Sequence, residues 1–234
     1  MERCGLAQGS SVLEVGPGTG QATRRLLTLG ASSLVLIEPN PALAAYLEES
    51  LGASLVVYGL ALEEAELPPA SFELAVAASS FHWVDESVGL SKLFDALRPG
   101  GWIATWWTLF GDGGPPDAFM QAIDPLLEGL DRSPTSGEDG RPPYALDTEA
   151  RIAALEAAGF ESPEHELIRW SANWDTTRIR DLYATFSPIA RLDDERRATI
   201  LGEIARIAEQ NFGGHVERML RTSIYTARRP SVVH

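Results

Sequence analysis

The sequence predicts an α/β protein: a largely parallel sheet covered by crossover helices. Three observations predict it. Short apolar runs alternate with amphipathic stretches up to Phe110. The runs are continuously apolar, as strands buried on both faces are. The first of them leads into a glycine-rich turn and then a helical pattern, the entry of a ligand-binding open sheet.

Each element follows in order. Ser11–Val15 is a strand that ends in glycines. Gln21–Leu29 reads as a helix, with Ala22, Leu26 and Leu29 along one face. Leu34–Ile37 is the second strand. Pro41 opens a helix to Leu51, proline being favoured in a first turn. Leu55–Tyr58 and Phe72–Ala78 are the third and fourth strands. Asp85–Leu97 is a helix stopped by Arg98-Pro99-Gly100-Gly101, and Trp102–Leu109 is the fifth strand. Beyond Phe110 the pattern changes. Helices are expected over Asp117–Leu130, Thr148–Ala158 (capped by Asp147 or Thr148), Thr176–Phe186 and Asp193–Phe212. Ser133–Pro143 reads as a flexible surface loop, Glu166–Trp170 as a strand, and Val216–Ala227 as an edge or antiparallel strand. The chain is expected to form one domain over 1–234. Its core is about 1–110 and 160–234, with helical cap elements about 111–158 and 174–212 inserted after strand five.

Composition narrows the function. The 234 residues are 44% hydrophobic and 22% charged, which suits an ordinary globular chain. The net charge of −14 repels phosphate backbones, so nucleic acid is not an expected partner. No apolar run is long enough for a membrane span, and no secretion signal opens the sequence, so a cytoplasmic protein without membrane contact is expected. The single cysteine, Cys4, sits in a terminus expected to be loose; it excludes an internal disulfide and a multi-cysteine metal site. His165, His215 and His234 have no metal-ligand spacing, so no metal is expected.

The chemistry concentrates at Val12-Leu13-Glu14-Val15-Gly16-Pro17-Gly18-Thr19-Gly20. Glycines let the backbone approach a ligand, and the helix start behind them offers free N–H groups. The spacing is Gly-x-Gly-x-Gly, not the dinucleotide Gly-x-Gly-x-x-Gly. Glu38 ends the second strand, where a carboxylate can accept both hydroxyls of a ribose. Leu62-Glu63 follows strand three and Ser80-Phe81-His82-Trp83-Val84-Asp85 follows strand four, facing the same crevice.

Together these segments, with Ile37-Glu38-Pro39-Asn40 and Leu97-Arg98-Pro99-Gly100-Gly101, make the chain resemble class I S-adenosylmethionine (SAM)-dependent methyltransferases. It is most similar to the small-molecule subgroup that includes trans-aconitate methyltransferase-like proteins. The later segments Ala158-Gly159-Phe160, Trp170 to Trp174 and Ala184 to Ser187 share the likeness. The resemblance implies a Rossmann-like seven-stranded sheet with one antiparallel strand, Val216–Ala227. It implies SAM as cofactor, S-adenosylhomocysteine as product and a small-molecule acceptor. Gly16, Pro17, Gly18, Thr19 and Gly20 would line the methionine part of SAM, with Glu14 and Gln21 organising polar contacts beneath it. Glu38 would bind the ribose, Pro39, Leu62 and Glu63 would frame the adenine, and the Ala78 carbonyl would stand near the methionine ammonium. Members usually carry an acid soon after the strand-three glycine. Here Leu60-Ala61-Leu62 follows Gly59, and Glu63 is expected to substitute. Members also carry a helical segment before the first strand, and this sequence is short there. A truncated start or a second subunit supplying the cover is expected, which makes a homodimer one option.

For the acceptor, Phe81, His82, Trp83, Trp106 and Trp174 are the candidate contacts. His82 is the candidate general base, since histidine titrates near neutrality; its alternative is to shape the pocket floor. Trp106 and Trp107 point to opposite faces of strand five, so one can wall the acceptor pocket while the other packs in the core. Two other functions share parts of this pattern: a nicotinamide-dependent oxidoreductase, and a non-catalytic SAM-binding scaffold.

Overall fold

The computed structural model describes residues 4–52, 55–111, 113–130 and 142–231. Most of the expected loop Ser133–Pro143 lies outside the described residues, as does His234. The chain divides into two compact units: 1–107, 141–166 and 223–234 in the first, and 108–140 and 167–222 in the second.

The strands are β1 (Ser11–Val15), β2 (Ser33–Ile37), β3 (Leu55–Tyr58), β4 (Phe72–Ala78), β5 (Leu97–Phe110), β6 (Glu161–Asp175) and β7 (His215–Arg228). They form one seven-stranded sheet in the order β3-β2-β1-β4-β5-β7-β6. The first five run parallel, with Val12 beside Leu34 and Leu74, and Ala75 beside Ile103. The order reverses at β1, so β2 and β4 flank it and a crevice opens at their carboxyl ends. Sequence placed these strands because their apolar runs are unbroken; Val12, Leu34, Leu36, Leu74 and Val76 are all buried in one core cluster. Cys4, expected in a loose terminus, belongs to that cluster at 4% exposure and is packed.

The expected antiparallel strand is β7. In the second unit Thr108 meets Thr222, and the Gly111 N–H reaches the Met219 carbonyl, so partner numbers fall as β5 rises. In the first unit Gly100 and Gly101 both face Arg229. Gly100 sits at φ +80°, which makes this a bulge of the glycine type. Strand β6 is longer than the expected Glu166–Trp170.

In the first unit, helices α1 (Gln21–Thr28), α2 (Pro41–Leu51) and α3 (Glu86–Ala96) make the crossovers. Asn40 caps α2 by accepting from the Ala42 and Leu43 N–H groups, and Asp85 caps α3 through Ser87 and Val88. A 3-10 turn, Tyr144–Leu146, precedes α5 (Thr148–Ala157), whose cap is Asp147, accepting from Ala150. Residues 141–158, expected among the cap elements, group with this first unit.

In the second unit lie α4 (Ala118–Leu127), α6 (Thr176–Ala184), α7 (Ser187–Ala190) and α8 (Asp194–Phe212). Ile200, Ile204, Ile207 and Ala208 form the buried stripe of α8, against Phe119, Ile123, Ile179 and Tyr183. The expected helix to Phe186 stops at Ala184, and α7 begins at Ser187-Pro188. Arg218 is 0% exposed, paired with Asp117 at 3.1 Å and with the Tyr183 hydroxyl at 2.9 Å. Among the described residues no helix is long and apolar enough to cross a membrane.

Gly89 in α3 shows how tightly the crevice wall is built. A Cβ there would lie 2.5 Å from Val84 Cγ1, 3.1 Å from Phe81 Cζ and 3.3 Å from Leu62 Cδ2. An ordinary helix-interior Gly→Ala change stabilises by about 0.5–1 kcal/mol. Here overpacking reverses the sign: Gly89→Ala is expected to destabilise by about 1–2 kcal/mol in chemical denaturation.

Candidate active site

A cavity of about 270 Å³ opens in the first unit, lined by Val15, Gly16, Ile37, Glu38, Pro39, Ala61, Leu62, Glu63, Ser79, Ser80, Trp83 and Val84. Its floor is where β1 and β4 end. The Ser80 hydroxyl donates to the Val15 carbonyl, drawing the two chain ends together. Gly16 is at φ +64°, and a Cβ there would overlap the Ser80 side chain, so only glycine lets the chains meet. Gly18 is also left-handed, at φ +58°, but its side-chain direction is open space. Gly20 packs instead against Leu47 and Leu51 of α2.

Glu38 organises the mouth. Its Oε2 accepts from the Gly18 N–H and its Oε1 from the Asn40 N–H, each at 3.0 Å. One carboxylate thus ties the glycine turn to the start of α2. A carboxylate has about four lone-pair sites, so each oxygen can take a further hydroxyl. Beneath the turn lies Glu14, fully buried. Its Oε2 accepts from the Thr23 hydroxyl at 2.7 Å, while Oε1 has no protein partner. Burial pushes its carboxyl up to about 7, against the lowering effect of Thr23.

The opposite wall is the chain after β3. Glu63 Oε1 accepts from the Asp85 N–H at 2.7 Å, and Lys92 Nζ donates to the Ala65 carbonyl at 2.8 Å, pinning this turn to α3. Leu62 is held buried against the cavity. Trp83 stands at the rim, 58% exposed. His82 is half-buried, and Trp107 Nε1 donates to its Nδ1 at 3.1 Å. Burial drives the His82 imidazole down to about 4.

Of the residues expected from sequence, the cavity gathers Gly16, Glu38, Pro39, Leu62, Glu63 and Trp83. Glu14 lies below the turn that contributes Gly16. Pro17, Gly18, Thr19, Gly20, Gln21, Ala78 and His82 are not in the cavity lining; Gln21 opens α1 exposed, and Ala78 ends β4 opposite Trp106. Phe81 is buried under Gly89 and packs as core. Trp106 packs on the core cluster under β1 and β4, on the face away from Trp107. Trp174 lies in the second unit beside Phe110. Ser80, expected in the crevice-facing segment after strand four, lines the cavity; sequence reading missed Ser79, Tyr144, and the hydrogen bond from Trp107 to His82. Ser79 carries a signal only in its backbone, φ +55°. Tyr144 carries none, since its contacts with Trp107 and Glu86 join distant segments.

The site suits a nucleoside. Pro39, Ile37, Ala61, Leu62 and Val84 offer apolar walls for a flat base, and Glu38 offers acceptors for a diol. The orphaned Oε1 of Glu14 supplies a buried acceptor under the turn. Behind Trp83, which lines the cavity, the His82 ring packs at 5.2 Å and is bonded in turn to the buried Trp107.

Comparison with known proteins agrees with this geometry. Residues 13–105 match the family model described as a methyltransferase domain. An uncharacterized methyltransferase of Mycobacterium bovis is 33% identical over 101 residues, 43% of this chain and 41% of that protein. One of Geobacillus sp. is 32% identical over 123 residues, 51% of this chain and 56% of that protein. The chain therefore spans about two fifths to just over half the length of these curated relatives. Among solved structures, the fold is like phosphoethanolamine N-methyltransferase 2 of Haemonchus contortus (TM-score 0.58, 16% identity, 98% of this chain and 51% of that one). That protein was solved with phosphomonomethylethanolamine and S-adenosylhomocysteine. The fold is equally like the SpnF cyclase (TM-score 0.60, 22% identity, 99% and 78%). At these identities the likeness establishes the Rossmann-like fold, which hosts more than one chemistry.

Glu14 and His82 act on stability with opposite signs. Folded Glu14 holds its proton more tightly than unfolded Glu14, so its contribution is present below about 4.5 and is lost as pH rises to about 7. Folded His82 holds its proton less tightly, so its contribution is lost as pH falls from about 6.5 to about 4. Glu14→Gln is expected to raise the melting temperature at pH 8, by the equivalent of up to about 3 kcal/mol. The gain should shrink towards nothing near pH 5 in a pH series of thermal melts.

Proposed function

We propose that the chain is a SAM-dependent methyltransferase acting on a small-molecule acceptor, a carboxylate. Within that family we assign it to the small-molecule subgroup similar to trans-aconitate methyltransferase-like proteins, on the strength of Phe81-His82-Trp83. The observation that carries the reading is Glu38: a carboxylate at the mouth of an apolar slot, held in place by two backbone N–H groups, beside a glycine turn. The match of residues 13–105 to a methyltransferase domain supports it. The net charge of −14 favours a small acceptor over nucleic acid.

When bound, SAM supplies an activated sulfonium methyl, which an acceptor lone pair takes in line while the carbon–sulfur pair returns to sulfur. The chain's own residues do the rest by placement. Glu38 holds the ribose diol, and Pro39, Leu62 and Glu63 frame the adenine. Gly16 and Gly18 would let the main chain lie close to the methionine part, with the buried Glu14 beneath the turn. Trp83 covers the rim and keeps water off the reacting atoms. Alignment of this kind removes about 7–11 kcal/mol of barrier in favourable systems. A carboxylate acceptor arrives without a proton to lose, so no base is required.

S-adenosylhomocysteine is expected to raise the melting temperature of the chain, and NADH is not. Glu38→Ala should weaken S-adenosylhomocysteine roughly 10- to 100-fold in calorimetry, a loss of about 1–3 kcal/mol. Unchanged affinity in a folded variant would overturn the assignment.

A further inference from the structure

Trp107 lies on β5 at 2% exposure, and its only polar atom is spent on His82. An indole nitrogen can donate but never accept. The His82 Nδ1 that receives this bond must therefore be the bare lone-pair nitrogen, and the ring proton sits on Nε2. Charging the ring would set an N–H against the indole N–H.

The surroundings reinforce the neutral ring. It packs beside Trp83 and Tyr144, with ring centroids 5.2 and 6.3 Å away. The Tyr144 hydroxyl faces away, donating to Glu86 at 2.7 Å, and Glu86 is ion-paired with Arg151 of α5 at 2.9 Å. The Arg151 guanidinium lies 3.7 Å from the Tyr144 ring centroid. On β7, Tyr225 stands behind Trp107, its hydroxyl donating to the Ala145 carbonyl. Asp85 is occupied capping α3. None of these acids is aimed at His82. Among the described residues, no hydrogen bond engages Nε2.

We propose that Trp107 is a positioning residue that locks His82 as an Nε2–H donor, and that this donor binds the carboxylate of the methyl acceptor. This rests on the methyl-transfer reading. The donor addresses the acceptor oxygen that does not react. The other oxygen forms the bond to the methyl carbon as the carbon–sulfur bond breaks, and no proton moves. A phenol or alcohol acceptor would have to hand its proton to Nδ1, and Trp107 occupies that lone pair.

Nitrogen-15 NMR of histidine-labelled protein tests this without any turnover. The His82 ring is expected to show the neutral Nε2–H tautomer, unchanged from pH 6 to pH 8. Trp107→Phe should mix the two neutral tautomers, the ring staying uncharged because its burial is unchanged. Acetate, as the bare carboxylate probe, should shift the Nε2–H resonance saturably in the wild type, and acetamide should not. An Nδ1–H or charged His82 in the wild type, or a resonance that ignores acetate, overturns the proposal. The tautomer does not depend on the cofactor. Failure of the methyltransferase reading would register separately, as absence of a thermal shift with S-adenosylhomocysteine.

Discussion

Two backbone N–H groups converge on one carboxylate, and much of the site depends on it. Glu38 receives Gly18 from the turn after β1 and Asn40 from the start of α2. Charge-assisted bonds of this kind are stronger than neutral ones. They hold two chain segments, 20 residues apart, as facing sides of one opening. Without that clamp the glycine turn would keep its conformational freedom, and the cavity mouth would have no fixed width. The Gly16–Ser80 approach does the same for the floor, where β1 and β4 end side by side.

The electrostatics of this opening are built on withholding water. Glu14 lies under the turn with one oxygen unpartnered, a cost that burial usually forbids. Asp85, Glu63 and Lys92, by contrast, meet backbone groups and organise the chain. Burial thus drives both the Glu14 carboxyl and the His82 imidazole towards their neutral forms.

How much of this was legible follows from the range of each interaction. The glycine turn, Glu38, and the strand-helix alternation were readable because their signals are local: apolar runs, left-handed glycines, an acid at a strand tip. Asp147, one of two cap candidates for α5, was readable for the same reason. The Ser80–Val15 bond, Tyr144 and the Trp107–His82 bond were not, because each depends on a partner tens of residues away that no spacing rule connects. Strand parity showed that Trp106 and Trp107 oppose each other, yet it could not say which one meets the core cluster under α1. Phe81 read as a ligand contact because it sits in the segment whose Ser80, Trp83 and Val84 line the cavity; Gly89 leaves room for its ring, and the ring fills it. Cys4 packs in the core because the chain ahead of β1 folds back, a long-range event.

The position of β7 bears on how the chain reaches this state. It is the seventh strand made, yet it fills the gap between β5 and β6. Until it arrives, β6 has no neighbour to pair with, and one side of β5 is bare. Assembly of this half of the sheet therefore waits on late-synthesised residues, a non-local closure of the slow kind. In the interval, unpaired strand edges are open to chaperones or to misassociation with other nascent chains.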